Sequence, residues 1–176
     1  ANQKDFEKIP GSPIGYWVSE KFVNTFNYKK LKSVSKPKQG LITADNNRFL
    51  RLWFETERVN TISKINNNIK WYGYNKGGEF RKWYGNLIYT VNWENDGYEI
   101  KKLKDRNGKQ SSRPQNINFY FNEGVTWTDL TSLGVTARYL PVGFIFDGSG
   151  PTAFTDKKYL NALKDNTKAT NLENKS

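Results

Sequence analysis

A glycine turn beside three cations is the first stretch of this sequence that could hold a ligand. Lys76 precedes Gly77 and Gly78, and Arg81 and Lys82 follow shortly after. Because glycines let the backbone approach a ligand closely, this turn could hold a phosphate oxygen among the three cations. A plain surface turn is the alternative interpretation.

A second stretch could bind a metal. Asp96, Glu99 and Lys101 are similar to the carboxylate and Glu-x-Lys pattern of metal-dependent nucleases, in which two carboxylates hold a divalent ion and the lysine orients water. In that pattern the first acid normally comes from a separate strand, whereas Asp96 lies at an apparent helix start. We therefore favour a solvated, charged helix, and we assign no catalytic and no metal-binding residue.

Two further stretches have the composition of a binding loop. Gly148-Ser149-Gly150 follows an apolar stretch but lacks the third glycine or the Lys-Ser/Thr of phosphate-binding loops, so a simple turn is favoured. Arg113, Gln115 and Asn116 are residue types that read base edges, since Arg pairs with guanine and Gln or Asn with adenine. They are also ordinary turn residues, so both interpretations stay open.

The composition excludes several classes of enzyme. The 176 residues contain no His and no Cys, which excludes Ser-His-Asp and Cys-His catalysis, Cys/His zinc sites and disulfides. No apolar run approaches the roughly 18 residues that a membrane span requires. The chain also contains no Met and begins with Ala1, so we expect a piece processed or cut from a longer protein.

The charge balance points to an anionic partner. Lys and Arg total 28 against 17 Asp and Glu, which gives a formal net charge of +11. One interpretation is a soluble protein that is merely rich in Lys and Asn; the other is an electrostatic footprint for nucleic acid. A membrane surface is a weaker option, because no basic amphipathic helix with a clean apolar face is apparent.

The elements that must position these residues suggest an α+β protein. We expect a mixed, mostly antiparallel twisted sheet with an N-terminal helix and a short C-terminal helix. Aromatic residues make up 15% of the chain, so the core should be largely aromatic, and Trp17, Trp53 and Trp93 are expected in it. The predicted helices cover 13–28 (after an N-cap at Ser12), 79–84, 96–104 and 157–164, and the predicted strands cover 48–55, 87–93, 125–129, 135–140 and 143–147.

The expected organisation is a single domain with polar ends. We expect a linker or arm at 1–11, the domain at 12–165, and a polar, disordered tail at 166–176. Residues 60–70 are rich in Asn and predict a surface loop.

Several stretches taken together resemble a known family. They are Phe6–Ser19, Pro37–Arg51, Tyr74–Asn86 with Val91–Gly97, Gly124–Thr128 and Arg138–Asp147. They are similar to the region that follows the catalytic domain in large bacterial adenine-specific DNA methyltransferases, including those of BREX phage defence and the fused type IIG restriction-modification enzymes. The resemblance covers residues 6 to 155 and includes the TaqI-like specificity domain.

This resemblance implies that the chain is a target recognition domain that clamps duplex DNA and reads the site. In such enzymes the catalytic half binds S-adenosylmethionine and flips the adenine out of the stack. The Asn/Asp-Pro-Pro-Tyr/Phe signature and the Gly-rich methyl-donor loop are absent from this sequence. We therefore expect DNA binding without methylation, and no cofactor in this fragment.

The resemblance also implies the partners. They are double-stranded DNA and the methyltransferase catalytic domain of the parent chain, in the cytoplasm and without a membrane. Whether the parent also carries a type II restriction endonuclease stays open. The end of the chain, 157–176, lacks the apolar helix that should follow, so a truncated domain is expected.

The candidate DNA-contacting residues combine both lines of reasoning. The lysines are assigned to phosphates, and Arg113, Gln115 and Asn116 to bases. The full set is Lys38, Arg48, Lys76, Arg81, Lys82, Arg113, Gln115, Asn116 and Arg138.

Other functions also fit the composition. A protein-interaction scaffold or a non-specific nucleic-acid-binding module of the same defence enzyme would use the same charged surface. A carbohydrate-binding module would use exposed Trp and Asn, and its binding would be nearly independent of salt.

Overall fold

The computed structural model describes residues 4, 7, 9–13, 17–28, 30, 33–56, 69–132, 134, 136–161, 164 and 165. The tail predicted at 166–176, most of the Asn-rich loop at 60–70 and much of the arm at 1–11 lie outside these residues. The chain divides into two compact units, Ala1–Ser35 and Lys36–Ser176, and each is described by itself.

In the described part of the first unit, helix α1 runs over Glu20–Thr25. The side chain of Ser19 caps it by accepting a hydrogen bond from the Phe22 amide at 3.3 Å. The predicted cap at Ser12 is wrong, because Ser12 has a left-handed φ of 45°, whereas an N-cap residue is extended. The helix that the structure describes is therefore shorter than the predicted 13–28.

Among the residues described, the second unit forms two four-stranded sheets. In one the order is β1 (Ser35–Lys38), β8 (Thr152–Thr155), β5 (Gly124–Thr126) and β6 (Arg138–Leu140). In the other it is β2 (Leu50–Leu52), β4 (Tyr89–Asn92), β3 (Trp71–Asn75) and β7 (Phe144–Phe146). The β2–β4, β3–β4, β5–β6 and β5–β8 pairings are antiparallel, and β3 pairs with β7 in parallel.

The helical elements of this unit are short. They are α2 at Asn46–Phe49, α3 at Glu94–Lys101, 3-10 turns at Trp53–Glu55 and Ile117–Phe119, and a helical segment at 157–161. The predicted α+β class with mostly antiparallel strands is confirmed, and the strands divide between two sheets. No helix of the described part of the chain is long and apolar enough to cross a membrane.

Local side chains explain where the predicted elements fail. The strand predicted at 48–55 is interrupted on both sides, because Asp45 caps α2 by accepting from the Arg48 amide and Glu55 accepts from the Leu52 amide at 2.7 Å. The helical turn predicted at 79–84 is instead a loop. Strand β3 was not predicted. A Cβ at its central Gly73 would lie 2.6 Å from the Phe144 ring, so the close approach of β7 requires glycine there.

The core is aromatic, as predicted. Trp93, Phe49 and Phe146 are fully buried, and Phe154 of β8 packs on Phe146 at 5.3 Å between ring centroids. This contact joins the two sheets. The expectation for the other tryptophans is wrong, because Trp17 is 71% exposed and Trp53 is 58% exposed.

Helix α3 contains a left-handed kink that depends on Trp93. Asn95, Asp96 and Gly97 have φ values of 51°, 58° and 70°. A Cβ at Gly97 would lie 2.7 Å from the Trp93 ring, which is fully buried. Gly97 is therefore required both for its backbone conformation and for space.

Gly97→Ala should destabilise the protein more than Gly108→Ala. Gly108 has a φ of 78° but nothing within 4 Å of its Cβ position, so alanine there costs only about 1–2 kcal/mol for the left-handed conformation. Alanine at position 97 adds a clash with the Trp93 ring, typically about 1–3 kcal/mol more. Urea unfolding monitored by tryptophan fluorescence measures both, and equal losses would contradict the role given to Trp93.

Candidate nucleic-acid interface

Three chain segments run in the same direction and end at one edge of the sheet that contains β3 and β7. Strand β3 is parallel to β7, and Leu41 forms a parallel bridge with Asp147. The residues that follow them, 43–45, 76–78 and 148–150, therefore lie at a common edge, which we call the carboxyl edge. Arg113 is brought beside it by an antiparallel bridge to Ile42.

The two glycine turns of the sequence pack against each other at this edge. A Cβ on Gly77 would lie 2.6 Å from the Ser149 carbonyl oxygen, and a Cβ on Gly150 would lie 2.7 Å from the Gly77 nitrogen. Only glycine permits so close an approach of two backbones. The sequence located both turns but gave no reason to place them together.

A buried threonine network holds both turns by their carbonyl groups. The Thr128 hydroxyl donates to the Gly78 carbonyl at 3.0 Å, and the Asn75 amide donates to the Gly150 carbonyl at 3.2 Å and to Thr126 Oγ1 at 2.7 Å. Asn75, Thr126 and Thr128 are all buried. Because buried polar groups are costly to leave unpaired, these bonds fix the positions of the turns.

Backbone amides distinguish the two turns as anion sites. In the 148–150 turn, the Gly148 amide donates to Leu41 O, and the amides of Ser149 and Gly150 donate to Asp147. These donors are occupied, consistent with a simple turn. By contrast, no described residue accepts a hydrogen bond from the backbone amides of 76–78. Of these three residues only Gly78 is exposed, whereas Gly77 is buried with its nitrogen against Gly150. Gly78, with a φ of 123°, is therefore the residue of this turn whose amide could meet a phosphate.

A buried carboxylate lies beneath the turns. Asp147 is 8% exposed and accepts hydrogen bonds from the Ser149 amide at 3.2 Å and hydroxyl at 3.1 Å. Burial raises the pKa of Asp147 above its ordinary value, while these hydrogen bonds and the charge of Lys76 partly oppose the shift. The pKa of Tyr74 is raised by burial and by the nearby Asp147 carboxylate.

The predicted cations of the glycine turn are available at the surface. Arg81 and Lys82 are exposed, and Lys82 Nζ lies 5.6 Å from the centroid of the Phe80 ring. Lys76 is half-buried, with its Nζ 5.5 Å from the centroid of the Tyr89 ring. The grouping of the three cations around a phosphate stays a prediction, because the described contacts place Lys76 on Tyr89 and Lys82 on Phe80.

The structure also brings the 113–116 segment to residues 39–42. Gln115 Nε2 donates to the Gly40 carbonyl at 3.2 Å, and Asn116 Nδ2 donates to the Gln39 carbonyl at 2.8 Å. The two amides thus fasten their own segment, whereas the Arg113 side chain is exposed. Lys38, on the adjoining β1, has its Nζ 5.2 Å from the Phe119 ring centroid.

Arg48 is engaged in an ion pair within the fold. Its guanidinium binds Glu99 Oε1 at 2.6 Å, and Asn92 donates to Glu99 Oε2 at 3.0 Å. Lys101 pairs with Asp96 at 2.6 Å. The three residues of the possible nuclease pattern therefore sit in two separate ion pairs, and the described residues include no group of three or more potential metal ligands from His, Cys, Asp and Glu.

Arg138 is fully buried in β6. Its NH1 group donates to Thr128 Oγ1 at 3.2 Å and to Thr136 Oγ1 at 3.1 Å, and burial lowers its pKa. Its Nε and NH2 groups have no hydrogen-bond partner among the described residues. In this conformation Arg138 extends the threonine network and does not reach the surface.

Sequence reasoning missed the threonine network and the role of Asp147. The alternation Thr126-Trp127-Thr128 was the available signal, because residues two apart share one face of a strand. Nothing in the sequence indicated which groups would face those hydroxyls.

Gln115→Ala and Arg113→Ala should affect stability differently. Removing the Gln115 amide leaves the Gly40 carbonyl unpaired and should lower the free energy of unfolding by about 1 kcal/mol. Removing the exposed Arg113 side chain should change it by less than about 0.5 kcal/mol. Chemical denaturation of both variants measures this, and a larger loss for Arg113→Ala would contradict the placement.

Asp147→Asn should alter the pH dependence of stability. A carboxyl whose folded-state pKa is raised above its unfolded value of about 3.9 stabilises the fold most below that pH, and this stabilisation is lost as pH rises through the folded-state pKa. The free energy of unfolding of the variant should therefore improve relative to the wild type as pH rises across this window. A difference that moves in the opposite direction would show that the hydrogen bonds from Ser149 outweigh burial.

The chain is similar to two proteins that are both adenine-specific methyltransferases. No family model matches the chain. It is 40% identical over 162 residues to the adenine-specific methyltransferase PglX of Lacticaseibacillus casei (strain Zhang), a match covering 88% of this chain and 14% of that protein. It is 41% identical over 157 residues to the adenine-specific methyltransferase BrxX of Escherichia coli O9:H4 (strain HS), covering 88% and 12%. The chain is thus homologous to a short segment of adenine-specific methyltransferases, spanning only 12–14% of their length.

Proposed function

We propose that this chain is the DNA-binding target recognition part of a BREX-type phage-defence adenine-specific DNA methyltransferase. It clamps duplex DNA at the carboxyl edge and contributes to reading the site. The observation that carries this proposal is the exposed Gly78, whose amide has no acceptor among the described residues, in the same segment as the exposed cations Arg81 and Lys82. The similarity of the chain to segments of PglX and BrxX also supports this proposal.

The residues divide into phosphate-holding and base-reading groups. Lys76, Arg81 and Lys82 hold phosphates, because they flank the Gly77-Gly78 turn in sequence and Arg81 and Lys82 are exposed. Arg113 is the main candidate for a base edge, since its guanidinium is exposed and has no described partner. Gln115 and Asn116 position that segment and retain their amide oxygens as acceptors.

The remaining candidates have weaker roles. Lys38 and Arg48 contribute general positive charge, and Arg48 must first leave Glu99 to bind a phosphate. Arg138 acts indirectly, by supporting Thr128 and so the Gly78 carbonyl. S-adenosylmethionine binding and methyl transfer belong to the rest of the parent protein, which acts in the cytoplasm.

Replacing Arg81 and Lys82 by alanine should weaken DNA binding and its salt dependence together. Each lost phosphate contact lowers the slope of log K against log salt by about 0.9, so the double variant should lose about 1.8. Fluorescence anisotropy with a labelled random-sequence duplex, titrated across salt, measures both quantities. The matched control is Lys157→Ala with Lys158→Ala, which removes two exposed cations from the helical segment after β8 and should change the slope less.

The same experiment tests the two parts of the proposal. Sequencing of the bound DNA should show one enriched short sequence if the chain reads a site. Salt-dependent binding without enrichment would leave only the backbone clamp. An absence of binding even at low salt would overturn the proposal and favour a protein-interaction scaffold, for which the exposed Trp53, Phe54 and Ile88 offer an apolar surface.

A further inference from the structure

The loop at 79–86, which we call the aromatic loop, is fastened at its neck and at its middle. Asn86 Nδ2 donates to the Glu79 carbonyl at 2.9 Å and closes the neck. In the middle, the Trp83 amide donates to Ala137 O at 3.2 Å and the Tyr139 amide donates to Trp83 O at 2.7 Å. The loop backbone is therefore held in one position beside β6.

The backbone of this loop is also strained. Trp83 and Asn86 have left-handed φ values of 71° and 59°, and Gly85 has a φ of 123°. A bulky residue with positive φ is energetically costly and persists only where the surroundings enforce it. Here the two hydrogen bonds with the β6 segment enforce it at Trp83.

What the loop presents to solvent is a pair of aromatic rings among cations. Phe80 is 40% exposed and Tyr84 is 47% exposed, while Arg81 and Lys82 lie between them and are exposed as well. The Arg81 stem packs against Gly85, where a Cβ would lie 2.9 Å from Arg81 Cδ. The loop thus displays two partly exposed rings on a backbone that is held by hydrogen bonds.

We propose that the aromatic loop stacks on an unpaired base of the bound DNA through Phe80 and Tyr84. This inference rests on the proposed function and adds a ligand for the two rings. Aromatic side chains stack on bases of any type, and neighbouring cations neutralise the flanking phosphates. The loop carries Arg81 and Lys82 against the single carboxylate Glu79, which favours an anionic ligand over an apolar protein partner.

An unpaired base is the favoured ligand, because the rings can reach its face. In a closed duplex each base face is covered by its neighbours, so two rings on a rigid loop have no face to stack on. A base that has left its pair exposes a face, and stacking on it is worth about ten-fold in affinity or more. The proposal places this contact on the chain's own residues, separate from the phosphate contacts of the 76–78 turn.

The test compares two labelled duplexes, one fully paired and one with a single unpaired adenine. Anisotropy titrations should show that the wild-type chain binds the bulged duplex about ten-fold more tightly. Phe80→Ala with Tyr84→Ala should remove this preference and leave the affinity for the paired duplex within about two-fold. The conservative pair Phe80→Tyr and Tyr84→Phe should keep it, and so should Tyr98→Ala, which removes a ring that is 59% exposed on α3.

The outcomes separate this inference from the proposed function. Equal, salt-dependent binding of both duplexes by the wild type would overturn the stacking role and leave the DNA clamp intact. A preference that persists in the Phe80→Ala and Tyr84→Ala variant would also overturn it. Binding to neither duplex would overturn both proposals.

Discussion

The arrangement of this protein's candidate interface depends on a small set of buried hydrogen bonds between threonines and glycine carbonyls. Thr128 binds the Gly78 carbonyl, and Asn75 joins the Gly150 carbonyl to Thr126. A buried carbonyl left without a partner costs about 1–3 kcal/mol, so each of these bonds determines where a turn can lie. Together they place two glycine turns that are distant in sequence at one edge of a sheet.

The parallel pairing of β3 and β7 has a consequence for charge. It brings the ends of both strands together, so that Lys76 and the buried Asp147 are neighbours. The carboxylate is shielded by Ser149, whereas the cations Arg81 and Lys82 remain at the surface. Exposed positive charge thus lies a few residues along the chain from the exposed Gly78, and such cations suit the phosphate backbone that we propose as the ligand.

In the aromatic loop, as in the glycine turns, buried groups hold the backbone while other side chains are exposed. Arg138 is buried beneath it and binds Thr128 and Thr136, while the adjoining β6 segment fixes Trp83. Side chains that would contact DNA in our proposals are therefore carried by backbone that the network positions in advance. Such preorganisation lowers the entropy cost of binding.

Local sequence patterns were enough to predict five of the strands and to exclude His- and Cys-based chemistry for this chain. The absence of His and Cys excluded whole families of catalysis, and the net charge of +11 indicated an anionic partner. Alternating apolar residues located β4 to β7, because strand periodicity is a local property. The cation group at Lys76–Lys82 was also visible, since its members are neighbours in the chain.

Which of these local features meet depends on how the chain packs. Gly77 packs on Ser149 through contacts between residues that are far apart in sequence, and no local pattern specifies such a partner. Arg48 likewise pairs with Glu99, and Arg138 is buried against threonines, and neither partner is a neighbour in the sequence. Residue type fixed what each side chain could do, whereas packing decided which groups were used inside the fold and which were left for a ligand.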